Sequence, residues 1–252
     1  MFRSGNVSTI VVDLDRTLLH TDKTVSSYTI AVLKECRKRG MKLMVATARP
    51  LRDVTPFCEM IEFDAMTVSN GARIICGTQS TEFRICQNSA ERVLDALLRN
   101  PALRITLETG DCAYSNKPIE EYATIISDDL IGVAAREGTI KILVHLDSKE
   151  TLAAVQKELT EDVYATVANG YLMQIMSKAA TKWNGIKAML EISGDSPAQT
   201  VYFGDDHDDI EPLKRCGIGV AVSNAIEEAK AAADYVAESN DEDGVAKFLA
   251  KL

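Results

Sequence analysis

The chain has 252 residues, 46% of them hydrophobic and 26% charged, with a formal net charge of −9. That size and balance fit a soluble globular protein with room for one large or two smaller domains. The negative charge argues against a nucleic-acid or anionic-membrane binder, which needs a basic face, but leaves room for an anionic small substrate beside a metal ion and a few lysines.

The first predicted element is an apolar, β-branched strand from Thr9 to Val12 that runs into Asp13 and Asp15. In a strand, positions i and i+2 point to one side. The pair is therefore expected to aim at one spot and to need a counter-charge there, most simply a divalent cation. The plain alternative is an Asp-rich turn with Asp15 capping a helix. After turn residues Thr24 to Ser27, Tyr28 to Arg39 reads as an amphipathic helix closed by Gly40. A strand from Lys42 to Ala46 then ends at Thr47-Ala48-Arg49-Pro50, before a helix starting near Leu51. This is a βαβ unit of a parallel sheet. A third run, Ala65 to Val68, reaches Ser69-Asn70-Gly71-Ala72, and its Asn-Gly turn predicts a returning strand at Arg73 to Cys76.

Beyond Gly77 the texture changes. Strands are expected at Glu82 to Ile85, Arg104 to Thr109, Cys112 to Ser115 and Ile140 to Leu146, and helices at Ala90 to Arg99 and Lys149 to Leu159. Tight turns fall at Gly110-Asp111 and Asn169-Gly170, the latter joining Asp162 to Val167 with Tyr171 to Met176. Lys117 to Gly138 is part helix, part loop. Alternation of strand and helix then resumes: a helix from Lys182 to Glu191, a strand from Thr200 to Phe203, the cluster Gly204-Asp205-Asp206-His207-Asp208-Asp209, and a short helix to Cys216. A strand from Ile218 to Val222, a helix from Ala225 to Ala233, a short strand at Tyr235 to Val236 and a helix from Gly244 complete it. The expected fold is a doubly wound, Rossmann-like α/β core of parallel sheet, residues 1–78 and 179–252, interrupted by an inserted α+β domain, residues 79–178.

Six cysteines, with no C-x-x-C pair, read as reduced thiols in a cytosolic protein rather than a zinc site or disulfide framework. The apolar run before Asp13 is too short for a signal peptide, and no run approaches a membrane span, so a cytoplasmic location is expected.

A carboxylate pair, a hydroxyl, a lysine and Gly-Asp-x-x-x-Asp occur in that order, three of the four at predicted strand ends that one parallel sheet would gather along an edge. At these residues the sequence resembles the haloacid dehalogenase-like phosphatase superfamily. The D-x-D-x-T-L motif is Asp13 to Leu18, the strand-end hydroxyl is Thr47, the lysine is Lys182, and G-D-x-x-x-D is Gly204 to Asp209. The inserted domain, Asn70-Gly71-Ala72, and the tail from Ser223-Asn224-Ala225 through Ser239 to Ala246 resemble the Cof-type subgroup, whose members carry an α/β cap there.

The resemblance implies an Mg²⁺-dependent phosphatase of small phosphorylated metabolites, sugar phosphates or similar, working through an aspartyl-phosphate. In that reading Asp13 is nucleophile and metal ligand, and Asp15 is proton carrier and a ligand through its carbonyl. Asp205 is a ligand, and Asp209 a ligand or an acid just behind. Thr47 and Lys182 hold the phosphoryl group, and Ala48, Arg49, Asn70, Gly71 and Asp208 border the substrate. A phosphomutase or phosphotransferase on the same fold, and a catalytically silent metabolite-binding regulator, stand as alternatives. A dehalogenase is disfavoured because that chemistry dispenses with the second acid and the metal. Three positions depart from the family pattern: Arg16 and Asp208 replace the usual Gly and Asn, and Trp183 follows Lys182 where Gly is usual. His207, although inside the fourth motif, is expected to be a surface-loop residue.

Overall fold

Strand β1 (Thr9–Val12) is buried at all four residues, as a parallel strand covered on both faces must be. The structure, a computed structural model, describes residues 7–252 except Asp111, Asp147 and Asn169. Within them β1 is followed by α1 (Ser27–Lys38), β2 (Lys42–Ala46), α2 (Leu51–Cys58), β3 (Ala65–Val68), β4 (Arg73–Cys76) and β5 (Gln79–Glu82). Next come α3 (Gln87–Leu98), β6 (Arg104–Glu108), β7 (Ala113–Ser115), β8 (Ile125–Ile126), α4 (Leu130–Glu137), β9 (Lys141–His145), α5 (Lys149–Lys157), β10 (Val163–Ala168) and β11 (Leu172–Ser177). The last third holds α6 (Lys182–Ser193), β12 (Thr200–Gly204), α7 (Ile210–Arg215), β13 (Ile218–Val222), α8 (Glu227–Ala232), β14 (Tyr235–Ala237) and α9 (Gly244–Leu249). The chain divides into two compact units, Met1–Thr81 with Thr181–Leu252, and Glu82–Ala180.

The first unit is a doubly wound α/β layer whose sheet runs β14-β13-β12-β1-β2-β3-β4-β5. Strand β1 pairs in parallel with both β2 and β12. The chain winds outward from β1 through β3 on one side and from β12 through β14 on the other. The order therefore reverses between β1 and β12, and a crevice opens at their carboxyl ends. Helix α1 begins where the Ser26 hydroxyl accepts from Thr29 N–H at 2.9 Å, and it buries Leu33 and Cys36 toward the sheet. Each such fully buried aliphatic side chain contributes roughly 1.5–3 kcal/mol.

In the second unit the sheet order is β10-β11-β9-β6-β7-β8. Alternate residues Ile105, Leu107, Ile142, Val144, Met173 and Ile175 join α3, α4 and Val155 of α5 in one apolar core. The intervening Thr106, Glu108, Lys141 and His145 are buried polar residues on the opposite face. His145 sits between the rings of Tyr122 and Tyr171, with centroids 6.3 and 6.1 Å away.

One predicted strand is displaced. Glu82 to Ile85 is not a strand: β5 covers Gln79–Glu82, and Ile85 makes only an isolated bridge to Thr139 before α3. The exposed polar residues of β5 suit an edge strand, which carries no alternating apolar signal to read. Lys117 to Gly138 resolves into the two-residue β8 and into α4, which Asp129 caps by accepting from Gly132 N–H at 2.7 Å. The predicted turns Gly110-Asp111 and Asn169-Gly170 each include a residue outside the described ones. All six cysteines are free, and among the described residues no helix is long and apolar enough to cross a membrane.

Candidate active site

Three strand ends and one helix start supply the site. Asp13 follows β1, its N–H bonded to the Phe203 carbonyl of β12 at 3.0 Å. Thr47 follows β2, Asp205 follows β12, and Lys182 opens α6, where the Thr181 hydroxyl caps the helix by accepting from Asn184 N–H. Asp13, Thr47, Lys182, Asp205 and Asp209 are all buried.

Asp209 is the hub. Its Oδ1 accepts from Lys182 Nζ at 2.5 Å and from the Tyr202 hydroxyl at 2.5 Å. Its Oδ2 accepts from the N–H groups of Asp205 and Asp206 at 2.7 and 2.9 Å. Four donors use the lone pairs of one carboxylate, so Asp209 braces the loop and the lysine rather than reaching outward. Burial alone would raise its pKa, but Lys182 and these donors outweigh burial and hold it below the usual range. Lys182 also stands 3.4 Å from Asp13, and although burial disfavours its charge, Asp13 and Asp209 push its pKa above normal. Glycine is required beside the hub, because a Cβ on Gly204 would lie 2.4 Å from the Asp209 carboxyl carbon.

The Lys182-Trp183-Asn184-Gly185 departure finds its reason in packing. A Cβ at Gly185 would come within 2.2 Å of Thr67 Oγ1 and 2.7 Å of Gly71 Cα, so α6 seats against the β3–β4 turn only with glycine three residues after the lysine. Gly71 in turn is left-handed (φ 89°) and presses on the Thr181 carbonyl. Trp183 lies half-buried under the Arg215 guanidinium, 5.5 Å from its ring centre. Gly185→Ala is expected to lower stability by about 2 kcal/mol through overpacking, read as a fall in the urea midpoint; an unchanged midpoint would contradict this packing.

Asp13, Asp205 and Asp209 each place a carboxylate oxygen within 4.8 Å of the others. Three buried carboxylates face one buried lysine, with Arg16 Nε 3.8 Å from Asp205 and half-exposed. Asp13 is pushed well above the usual range, first by burial and then by the charges of Asp209 and Asp205, despite Lys182. Burial and Asp209 raise Asp205 to about 6. Surplus negative charge on hard oxygen donors is the environment of a divalent cation of the Mg²⁺ kind. The donor set fits, with Asp13 and Asp205 offering free lone pairs and Asp209 already saturated.

Asp13 and Asp15 do not converge side by side, contrary to the expectation from strand geometry. The strand ends at Val12, and Leu14–Leu18 form a wide turn in which Arg16 is left-handed (φ 59°). Asp15 points to its own cations. Arg49 Nε and Nη2 donate to its two oxygens at 2.6 and 2.7 Å, and Lys23 Nζ donates at 2.8 Å. Burial raises the Asp15 pKa, but these hydrogen bonds outweigh it and bring it below the usual range. The counter-charge of the second acid is thus already present in the chain.

A left-handed backbone at position 16 explains why glycine suits it. Arginine there carries a backbone cost of roughly 1–2 kcal/mol. The turn is braced from the tail: Asn224 Nδ2 donates to the Arg16 carbonyl at 2.8 Å, and Asn224 Oδ1 accepts from Asn240 N–H at 2.9 Å. Asn240 Nδ2 also donates to the Leu19 carbonyl at 3.0 Å. Asn240→Ala is expected to destabilise by about 1–3 kcal/mol, the cost of leaving a buried carbonyl unpaired, measured by thermal melting.

The remaining predicted residues separate. Asn70 is buried and left-handed (φ 58°), and its Nδ2 donates to Asp208 at 2.8 Å, so Asp208 acts as an acceptor where an amide would donate. Arg49 rests 5.3 Å above the Phe57 ring, Ala48 is exposed beside Thr47, and Gly71 is packed against the start of α6. His207 is exposed, and His20 pairs with Asp243 at 3.1 Å. Geometry adds Thr17, whose hydroxyl donates to Asp205 at 3.0 Å, together with Lys23, Tyr202, Asn224 and Asn240. Thr17, Asn224 and Asn240 lie inside the motifs quoted from the sequence. Lys23 in a polar turn and Tyr202 in a buried strand carry no local signal.

The profile of a haloacid dehalogenase-like hydrolase family matches residues 10–249. An Arabidopsis thaliana protein named endoribonuclease YBEY, chloroplastic, is 31% identical over 96% of the chain, and the chain spans 46% of that protein. The 5-amino-6-(5-phospho-D-ribitylamino)uracil phosphatase YitU of Bacillus subtilis is 25% identical, with 95% of each covered. In fold, the chain is similar to a haloacid dehalogenase-like hydrolase from Bacteroides thetaiotaomicron (TM-score 0.86, 24% identity, 97% and 98% covered). It is similar also to one from B. subtilis (TM-score 0.83, 23% identity, 97% and 99% covered).

Proposed function

The chain belongs to the haloacid dehalogenase-like hydrolase family and is a phosphoric monoester hydrolase, and from that premise we propose that it is an Mg²⁺-dependent phosphatase of small phosphorylated metabolites. The observation that carries this reading is the buried Asp13–Lys182–Asp209–Asp205 constellation at the point where the strand order reverses. Asp13 attacks phosphorus, forming a carboxylate oxygen–phosphorus bond as the ester oxygen–phosphorus bond breaks. Asp15, once released from Arg49 and Lys23 and protonated, delivers a proton to the departing oxygen. Water then attacks the phosphoryl group, its proton passes to Asp15, and inorganic phosphate leaves with Asp13 regenerated. Lys182 balances the charge gathered on Asp13 and the phosphoryl oxygens, and the Thr47 hydroxyl holds one of those oxygens. Asp13, Asp205 and the Asp15 carbonyl would hold Mg²⁺, which when bound neutralises phosphoryl charge. The second unit, taken as a cap at residues 79–178, supplies specificity.

The test is phosphate release from a panel of metabolite phosphates with Mg²⁺ and with chelator. Release with Mg²⁺ alone supports the reading. No release from any ester refutes it, and turnover only with a bisphosphate activator replaces it with a phosphomutase.

Asp205 gives the pH dependence. Its folded pKa, about 6, lies above the ordinary value of 3.8, so in the metal-free protein its favourable contribution is complete below 3.8 and is lost as pH rises through 6. Metal binding runs the other way, because the ligand must be ionised. Mg²⁺ affinity is expected to rise about tenfold from pH 5 to pH 7, measured by titration calorimetry; a flat profile would contradict a role for Asp205 as ligand.

A further inference from the structure

Two cations converge on one carboxylate at the edge of the site. Arg49 grips Asp15 with a two-pronged fork, and Lys23 adds a third contact, so two cations bear directly on one carboxylate, while Asp53 and Asp13 act on Arg49 without a direct contact. Asp53, on the exposed side of α2, stands 4.0 Å from Arg52. Exposed ion pairs hold a structure together by little more than 0–1 kcal/mol, yet the chain invests in placing this lysine. Lys23 has a left-handed backbone (φ 69°), an unfavourable conformation for a side-chain-bearing residue. Its turn is closed by Lys23 N–H to the His20 carbonyl and His20 N–H to the Thr24 carbonyl, both at 2.9 Å. Asp22 ties down Thr24, and Asp241 accepts from both the N–H and the hydroxyl of Thr21 at 2.7 Å. Arg49 is fixed by its stacking over Phe57. The Arg49 side chain and the Lys23 backbone are therefore held in place, and the half-exposed Lys23 side chain reaches Asp15 from a fixed turn.

We propose that Arg49 and Lys23 form a second anion subsite and that the substrates are phosphomonoesters carrying a carboxylate near the ester oxygen. The proposal rests on the phosphatase reading and deepens it. The Arg49 fork already holds a carboxylate, that of Asp15, in the planar geometry such a fork matches best. Asp15 is the group assigned to the leaving oxygen, so cations bound to it lie on the leaving-group side. A substrate carboxylate there exchanges with Asp15 on the fork. Two cations then face two carboxylates, and Asp15 is freed from its clamp to serve the ester oxygen. A neutral leaving group leaves the clamp closed.

The test compares near-matched esters on the full chain with Mg²⁺: 3-phosphoglycerate against glycerol 3-phosphate, and O-phosphoserine against O-phosphoethanolamine. The carboxylate member of each pair is expected to have a kcat/KM higher by about tenfold or more. Lys23→Ala should cut that preference to about threefold or less, and Lys23→Arg should retain it. Direct titration calorimetry with phosphonoacetate and ethylphosphonate should show tighter binding of the former to wild type and a reduced difference in Lys23→Ala. Equal kcat/KM within the pairs, or a Lys23→Ala variant that lowers both members alike, overturns the subsite while leaving the phosphatase reading intact. If no ester turns over but phosphonoacetate still binds preferentially and does so through Lys23, the phosphatase reading falls and the subsite stands. If neither phosphonate binds and no ester turns over, both fall.

Discussion

Asp13→Asn is expected to lower kcat by about 10⁴-fold or more while leaving the folded protein more stable in chelator. The kinetic loss follows from removing the carboxylate proposed to attack phosphorus, a role an amide cannot take. The stability gain follows from the same burial. Asp13 is pushed well above the usual carboxylate range, first by desolvation and then by Asp209 and Asp205. A raised acid contributes its stability below its ordinary pKa and loses it as pH rises through the folded value. At neutral pH the burial of this acid therefore opposes folding, and an amide, which has no charge to bury, relieves it by about 1 kcal/mol. Thermal melting in chelator should move up, and added Mg²⁺ should raise it less than it does wild type. A variant retaining kcat within tenfold of wild type would rule out Asp13 as nucleophile.

Lys182→Met has the opposite sign on stability. Lys182 is the buried cation between Asp13 and Asp209, at 3.4 and 2.5 Å. Removing it leaves both buried carboxylates, with Asp205 nearby, uncompensated. Loss of one partner of such a buried group costs about 3–5 kcal/mol. Because its folded pKa lies above normal, that contribution is fully present at and below neutral pH and is lost only in strong alkali. Urea midpoints read the loss. Adding Asp209→Asn to Lys182→Met should restore part of it, since the second change removes a charge the first exposed, and the double-mutant cycle should show coupling. Additive losses would mean that Lys182 and Asp209 do not act as a pair. The Tyr202 phenol, held protonated far above its usual range by burial and by Asp209, keeps its hydrogen bond in every variant that retains Asp209.

The parallel strands were legible because burial on both faces writes itself into sequence as an unbroken apolar run. Strands β1, β2, β3 and β13 fall at their expected residues, while the antiparallel β4 was legible from the Asn70-Gly71 turn before it. Edge strand β5 was misplaced, because it buries almost nothing and its residues answer only to a neighbouring backbone. The candidate site was legible in its strand-end members, Asp13, Thr47 and Asp205, since a chain leaving a buried strand must place its first polar residues there. Lys23 and Tyr202 were not. Each reaches its carboxylate by folding: Lys23 crosses one turn to Asp15, and Tyr202 looks across the Gly204 loop at Asp209.

The carboxylate pair shows the division most clearly. Order and residue type alone set out two acids at the end of β1, a hydroxyl at the end of β2, a lysine opening a helix and an acidic cluster after β12. What they could not decide is which charge each acid would meet. Strand periodicity predicts that Asp13 and Asp15 share one partner, but periodicity ends with the strand at Val12, and the turn that begins at Leu14, between the two acids, breaks the alternation. Asp13 meets Lys182 and two more acids, which leaves a surplus of buried negative charge suited to a cation. Asp15 meets Arg49 and Lys23, residues 34 and 8 positions away, which supply its counter-charge from within the chain. Coulomb interactions depend on distance in space, and only the folded chain sets those distances.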